Sequence, residues 1–399
     1  MSEKPHLDAA RKVVPRTVIL AIAVACFLAL GIGQAHARTH GDDVRCGDTI
    51  TMDVELKHDL VDCPGTGIVI GADNIELDLN GHKIDGDGAL GCADFYACDY
   101  GVDNTAGHRG VTIANGSIRE FATAAFVLGA TDNRVRALSS SDNVLGGLLL
   151  IGCTSCLIER NSISHNGVTT DQAGLIVFDS TDVRIERNSV FANGDIGMFL
   201  IGIDSSRVER NSVSGNPEAG VVLEGSGNEL SRNHVFENGD NIAVLGDDNI
   251  VTRNEVDDAL GFPDDPTGGF GILLVEGNRN LLDDNTVDGA ASDGIRIRHP
   301  EAEGTADDNV IRDNEVARAK LDGIVIDEAA SGSLVERNVA FGAGDDGIDV
   351  ESPTTTLTKN RANGNGDLGI EAVAGVTDGG GNRASGNGNP AQCQGVACS

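Results

Sequence analysis

Along most of this chain, apolar and polar residues alternate in short runs separated by turn-forming residues. Residues 174–193, GLIVFDSTDVRIERNSVFAN, hold three such runs, LIVF, VRIE and SVF, split by Asp-Ser-Thr-Asp and Arg-Asn. Alternation with a period of two marks strands, and the unit leaves no room for a helix. The unit recurs. An Asn closes a β-rich run at Asn161, Asn188, Asn211, Asn233, Asn254, Asn285, Asn314, Asn338 and Asn360, at intervals of 27, 23, 22, 21, 31, 29, 24 and 22 residues. Between these, a Gly leads an alternating apolar run, as in Gly174-Leu175, Gly197-Met198, Gly294-Ile295, Gly323-Ile324 and Gly347-Ile348. Such a period, broken by insertions, marks a solenoid.

Three short strands per turn predict an all-β fold, a single-stranded parallel β-helix. About thirteen coils, each rising about 4.8 Å, would make a rod about 60 Å long. The L-x-x-L-x-L ladder and helical half of leucine-rich repeats are missing. Leu175, Val177, Val183 and Ile185 are expected to point inward and stack on their equivalents. The repeated Asn is expected at an inward bend, where each amide satisfies its neighbour.

Composition narrows the classes. The 399 residues carry a net charge of −33 but are 40% hydrophobic, too apolar for a disordered acidic chain. So few Lys and Arg leave no broad cationic footprint for nucleic acid or an anionic membrane. Lys4, Arg11, Lys12 and Arg16 precede an apolar stretch, residues 17–32, and Ala35-His36-Ala37 offers a cleavage site. Residues 1–37 therefore read as a signal peptide, 38–66 as a lead-in cap, and 67–399 as the β-helix with a stapled tail. The expected locale is secreted or periplasmic, with no membrane span after cleavage. The remainder would carry −35 and eight cysteines in close pairs: Cys46 and Cys63, Cys92 and Cys98, Cys153 and Cys156, Cys393 and Cys398. In an exported chain these read as disulfide staples, with the connectivity left open by sequence.

The opening CGDTITMDVELKHDLVDCPGTGIVIGADNIELDLNGHKIDG, the GI-x-L and ERN coils and the ending GNGNPAQC resemble exported bacterial right-handed parallel β-helix repeat proteins of the pectin-lyase-like superfamily. The resemblance covers nearly all of the chain after residue 37. It implies the fold but not one chemistry, because the superfamily spans polysaccharide lyases, glycoside hydrolases, alginate epimerases, a periplasmic copper-processing protein and noncatalytic adhesins. The epimerases' D-P-H motif is absent, and Arg296-Ile297-Arg298 only approximates the pectin hydrolases' R-I-K.

In the enzymes of that superfamily, the substrate lies across the strand matching the Gly-Ile-x-Leu run. Its outward positions are apolar from Ile176 and Phe178, through Phe199, to Leu273 and Val275, then charged at Arg296, Arg298, Asp327, Asp349 and Glu351. Insertions at 261–269 and 299–308 flank that boundary. The expected site joins catalytic Arg296, Arg298, His299, Asp327 and Asp349 with substrate contacts from Glu276, Asp264, Asp265, Glu301, Phe178 and Phe199. Arg296 and Arg298 would neutralise a uronate, with His299 as base, giving a cation-assisted polyuronate lyase or epimerase. Alternatively, Asp327 with Asp349 or Glu351 would serve hydrolysis. Calcium is the candidate cofactor, with no cofactor as the alternative, and Asp327, Asp349 and Glu351 are its candidate ligands. Against these stands a noncatalytic scaffold whose apolar sheet face binds a protein partner. The GDDGI segment at Gly344 to Ile348 reads as a turn, and the nine His show no paired spacing for copper or zinc.

Overall fold

The computed structural model describes residues 44–89, 98–167, 172–262, 268–298 and 305–399. The expected signal peptide, Cys92, Asp264, Asp265, His299 and Glu301 lie outside them. The described residues form parallel coils with no α-helix. One sheet holds fourteen strands, each beside the strand one coil earlier, from Asp48–Ile50 to Ile370–Ala372. The other strands stack likewise: Arg184–Glu186 pairs with Leu157–Glu159 and Arg207–Glu209, and Ser189–Phe191 with Ser162–Ser164 and Ser212–Ser214. Residues 48–63 already build a coil, since Asp48–Ile50 and Leu60–Cys63 pair with the strands of the next turn.

The core is one column of stacked apolar side chains. Leu175, Met198, Val221, Ile242, Ile272, Ile295, Ile324 and Ile348 follow each other in register, all fully buried. The Gly before each strand sits at a corner too tight for a side chain. A Cβ on Gly294 would strike Val316 and the Gly323 carbonyl, and one on Gly323 the Gly347 carbonyl.

The Asn column is continuous. Asn188 donates its backbone N–H and its amide to Asn211 Oδ1, at 2.9 and 3.0 Å, and the same amide to the Ile158 carbonyl at 2.9 Å. The pattern runs from Asn161 to Asn382. Two shorter columns, through Asn166, Asn193 and Asn216 and through Asn228 and Asn249, do the same at other corners. A lone buried amide would leave donors unpaired; stacked, each satisfies the next.

Disulfides join Cys46 to Cys63, Cys153 to Cys156 and Cys393 to Cys398, and Cys98 is also disulfide-bonded. They fit an oxidising compartment and leave Cys153 and Cys156 no thiolate for zinc. No helix among the described residues is long and apolar enough to cross a membrane.

Candidate functional site

The outer face of the long sheet divides as the pattern predicts, but its apolar half is not open. Phe199, Val222, Ala243 and Leu273 follow one another in register, and the first is 6% exposed and the last 0%. They form a second apolar cluster outside the coil, with Phe178 packed edge-to-face on Phe199. The insertion before Ile272 also shifts the register, so that Leu245 faces Glu276 rather than Val275.

At the next strand the face changes. Arg296, Val325, Asp349 and Glu371 continue the Leu273 column. Beside it, Arg298, Asp327 and Glu351 fall one above another, tied through backbone N–H bonds to the preceding coil. A third column stands just before the corner glycines. Asp293 Oδ1 accepts the Asp322 N–H at 3.1 Å, Asp322 Oδ1 the Asp346 N–H at 2.7 Å, and Asp346 Oδ1 the Leu368 N–H at 2.7 Å. These aspartates stand where earlier coils carry Ala173, Ile196 and Ala219, and bring charge to that position.

Arg296 is committed. Its Nη1 donates to Asp293 Oδ2 at 2.9 Å and its Nη2 lies 2.9 Å from Asp327 Oδ1. The second approach is an ion pair out of hydrogen-bond alignment, since Asp327 Oδ1 and Arg296 Nε are both shielded without a bonded partner. Burial acts to lower Arg296, but the charges of Asp327 and Asp293 outweigh it and hold the guanidinium above its usual range. Arg298 is in no ion pair among the described residues.

Burial raises the carboxyls of the grid. It pushes Asp349 up to about 7, helped by the charges of Asp322, Glu351 and Glu371 and opposed by Arg296. Asp346 also rises to about 7, mainly by burial, against the pull of the Leu368 N–H and helped by the neighbouring Glu371 and Asp322. Asp322 rises to about 6, and Asp327 is raised by burial against the pull of Arg296. Three acids crowded in partly dry surroundings cannot all stay ionised.

The structure thus joins Arg296, Arg298, Asp327, Asp349 and Glu351 on adjacent rungs and sets Phe178 and Phe199 several coils away. It groups Asp349 with Asp346 and Glu371, whose carboxylate oxygens lie within 4.8 Å of one another, not with Asp327 and Glu351. Asp322, Asp345 and Asp346 form a second such group. Asp293, Asp322, Asp346 and Glu371 were not expected in the site; the thrice-repeated Asp-Gly-Ile was the signal for the three aspartates, and Glu371 follows Gly369-Ile370 in the place that Asp349 takes after Gly347-Ile348. A third group, His234, Glu255 and Asp257, stands on another face, assembled across coils where local His spacing cannot reveal it.

The chain matches the family described as right handed beta helix region over residues 100–256, 204–362 and 241–397. No curated protein sequence matches. Among solved structures, a tailspike protein of E. coli bacteriophage HK620, in complex with a pentasaccharide, is 12% identical with a TM-score of 0.50, over 88% of this chain and 73% of that one. The A-module of the Azotobacter vinelandii mannuronan C-5 epimerase AlgE4 is 13% identical with a TM-score of 0.49, over 85% and 90%. The DFA-IIIase from Arthrobacter chlorophenolicus A6, in complex with GF2, is 12% identical with a TM-score of 0.46, over 74% and 86%. At these identities the likeness is one of fold. With coils, corner ladders and matched region coinciding over most of its length, the chain belongs to the right-handed β-helix family.

Proposed function

We propose that this is an exported polysaccharide-processing β-helix that cleaves glycosidic bonds on the outer face of its last coils. The carrying observation is the Asp346, Asp349 and Glu371 group, whose oxygens approach within 4.8 Å while two of its carboxyls titrate near 7. A group half-protonated at neutral pH both gives and takes a proton efficiently. Glycoside hydrolysis needs that pairing, a carboxylic acid for the leaving oxygen beside a second carboxyl. Asp349 is the proton donor in this reading, with Glu371 as the second carboxyl and Arg298 as a contact for an anionic substituent. A fold of this kind holds a pentasaccharide in the HK620 tailspike. The lyase or epimerase reading is served less well, because both terminal nitrogens of Arg296 are already taken by Asp293 and Asp327. The scaffold reading needs an open apolar face, whereas Leu273 and Ala243 are buried.

Calcium has one specific support, the same convergence of oxygens. In this second reading the ion sits at Asp346, Asp349 and Glu371, displaces their protons and bridges to a uronate.

The test is a panel of polysaccharides assayed for new reducing ends between about pH 5 and pH 8, with Asp349→Asn alongside. Turnover that falls at least about 100-fold in the variant, with its thermal melt intact, is the expected result. Loss of turnover to chelator favours the bound ion; products absorbing as unsaturated uronates would replace hydrolysis with elimination. Equal turnover in both proteins removes Asp349 from the chemistry.

A further inference from the structure

A basic column runs up a corner of this acidic rod, away from the carboxylate grid. The residue before each stacked Asn is held in the left-handed region, and in five successive coils it is an arginine: Arg160, Arg187, Arg210, Arg232 and Arg253, with φ between 55° and 57°. Each Arg N–H bonds to the carbonyl one coil on, so the five stack along the axis. At about 4.8 Å per coil they span about 19 Å.

Nothing in the backbone calls for arginine here. Left-handed geometry favours Gly, Asn or Asp. The second left-handed corner of the same coils reads His165, Ala192, Gly215, Glu237 and Asp258, and the third Ser155, Asp182, Ser205, Gly227 and Asp248. Only the first keeps one long cationic side chain, in a chain with 29 Lys and Arg against 62 Asp and Glu.

Ion pairing accounts for part of the column. Arg210 and Arg232 share Glu209 at 2.7 and 3.0 Å, Arg253 lies 3.2 Å from Asp284, and Arg160 stands 3.9 Å from Glu159. Arg187 is exposed and in no ion pair among the described residues. The neighbouring position is Glu in three coils, then Ser231 and Thr252, so the acids run out before the arginines do. On the other side a hydroxyl column runs parallel: Ser139, Ser162, Ser189 and Ser212 in register.

We propose that this corner binds an anionic polysaccharide lengthwise, its carboxylates or sulfates on the arginine column and its hydroxyls on the serine column. Guanidinium groups match such anions in geometry as well as charge. The flanking column is serine beside Arg160, Arg187 and Arg210 and becomes His234 and Glu255 beside Arg232 and Arg253, so it offers no run of the aromatic platforms on which single-stranded nucleic acid stacks, and the chain has no Trp. This site is independent of the carboxylate grid and stands whether or not that grid is catalytic.

The experiment measures binding of the full chain to fluorescent polygalacturonate oligomers at about 50 mM and about 200 mM salt, with dextran and single-stranded DNA as competitors. A triple variant, Arg187→Ala with Arg210→Ala and Arg232→Ala, is compared with Arg318→Ala, Arg361→Ala and Arg383→Ala, which removes equal charge elsewhere. The expected result is at least about a tenfold loss and a shallower salt dependence in the first triple, with less than about a twofold change in the second. Equal loss in both triples, no binding at the lower salt, or competition by dextran or DNA as strong as by the polyuronate overturns the proposal.

Discussion

Leu273 and Arg296 are register neighbours on one sheet, yet the outer face changes character between them while the inner face does not. Before that step the exterior carries Phe199, Val222, Ala243 and Leu273, buried in an apolar cluster. After it the exterior carries Arg296, Asp349 and Glu371, with Asp293, Asp322 and Asp346 at the adjoining corner. The stacked core continues through both as Ile272, Ile295 and Ile324. A β-helix therefore separates its tasks by direction: inward positions hold the rod together, and outward positions are free to be covered or to do chemistry.

The sharpest way to break this contrast is to put a charge on the covered half. Ala243→Asp should cost about 4 kcal/mol or more, read as a large drop in the thermal midpoint, because the carboxylate would be buried between Val222 and Leu273 without a partner. Stability close to the parent's would show that face to be open. Next in size is Arg296→Leu, which leaves Asp293 and Asp327 facing each other without their shared cation. About 3 kcal/mol should be lost at pH 8, and less as the pH falls, because burial raises the Asp327 carboxyl and favours its protonated form.

Asp349→Asn should act in the opposite direction. Burial and neighbouring acids raise its folded value to about 7, so the folded state holds a proton that the unfolded chain releases. The grid's contribution is thus fully present below the usual carboxylate range and is lost as pH rises through about 7. The variant should be more stable than the parent at pH 8, by about 1 kcal/mol after allowance for solvent screening, and no different near pH 4. A difference between variant and parent that does not grow between pH 4 and pH 8 would mean that Asp349 is ionised at little cost. The smallest effect is expected at Glu351→Gln, an exposed site: stability within about 0.5 kcal/mol, with a slightly lower Asp349 titration midpoint.

Much of this was legible in the sequence because a solenoid turns sequence period into spatial adjacency. Asn188 and Asn211, 23 residues apart, bond directly, and Arg296 and Asp349 stand on one column, as their places after the corner Gly imply. What escaped lies at the corners and insertions. Asp346 reads as a turn residue, and its carboxylate accepts a backbone N–H; the same carboxylate also stands against Asp349 and Glu371, and against Asp322 and Asp345 on its other side. The shift from Val275 to Glu276 follows an insertion of no regular period. Burial of the apolar stripe depends on what lies above the sheet, which alternation along a strand does not report.

The central claim is that coil stacking makes acids 22 residues apart act as one titrating group. Carbon-13 NMR titration of the Asp349 carboxyl tests it most directly, in the parent protein and in Glu371→Gln. The expected midpoint is about 7 in the parent, falling when the Glu371 charge is removed. A midpoint in the usual carboxylate range, indifferent to that substitution, would contradict the claim.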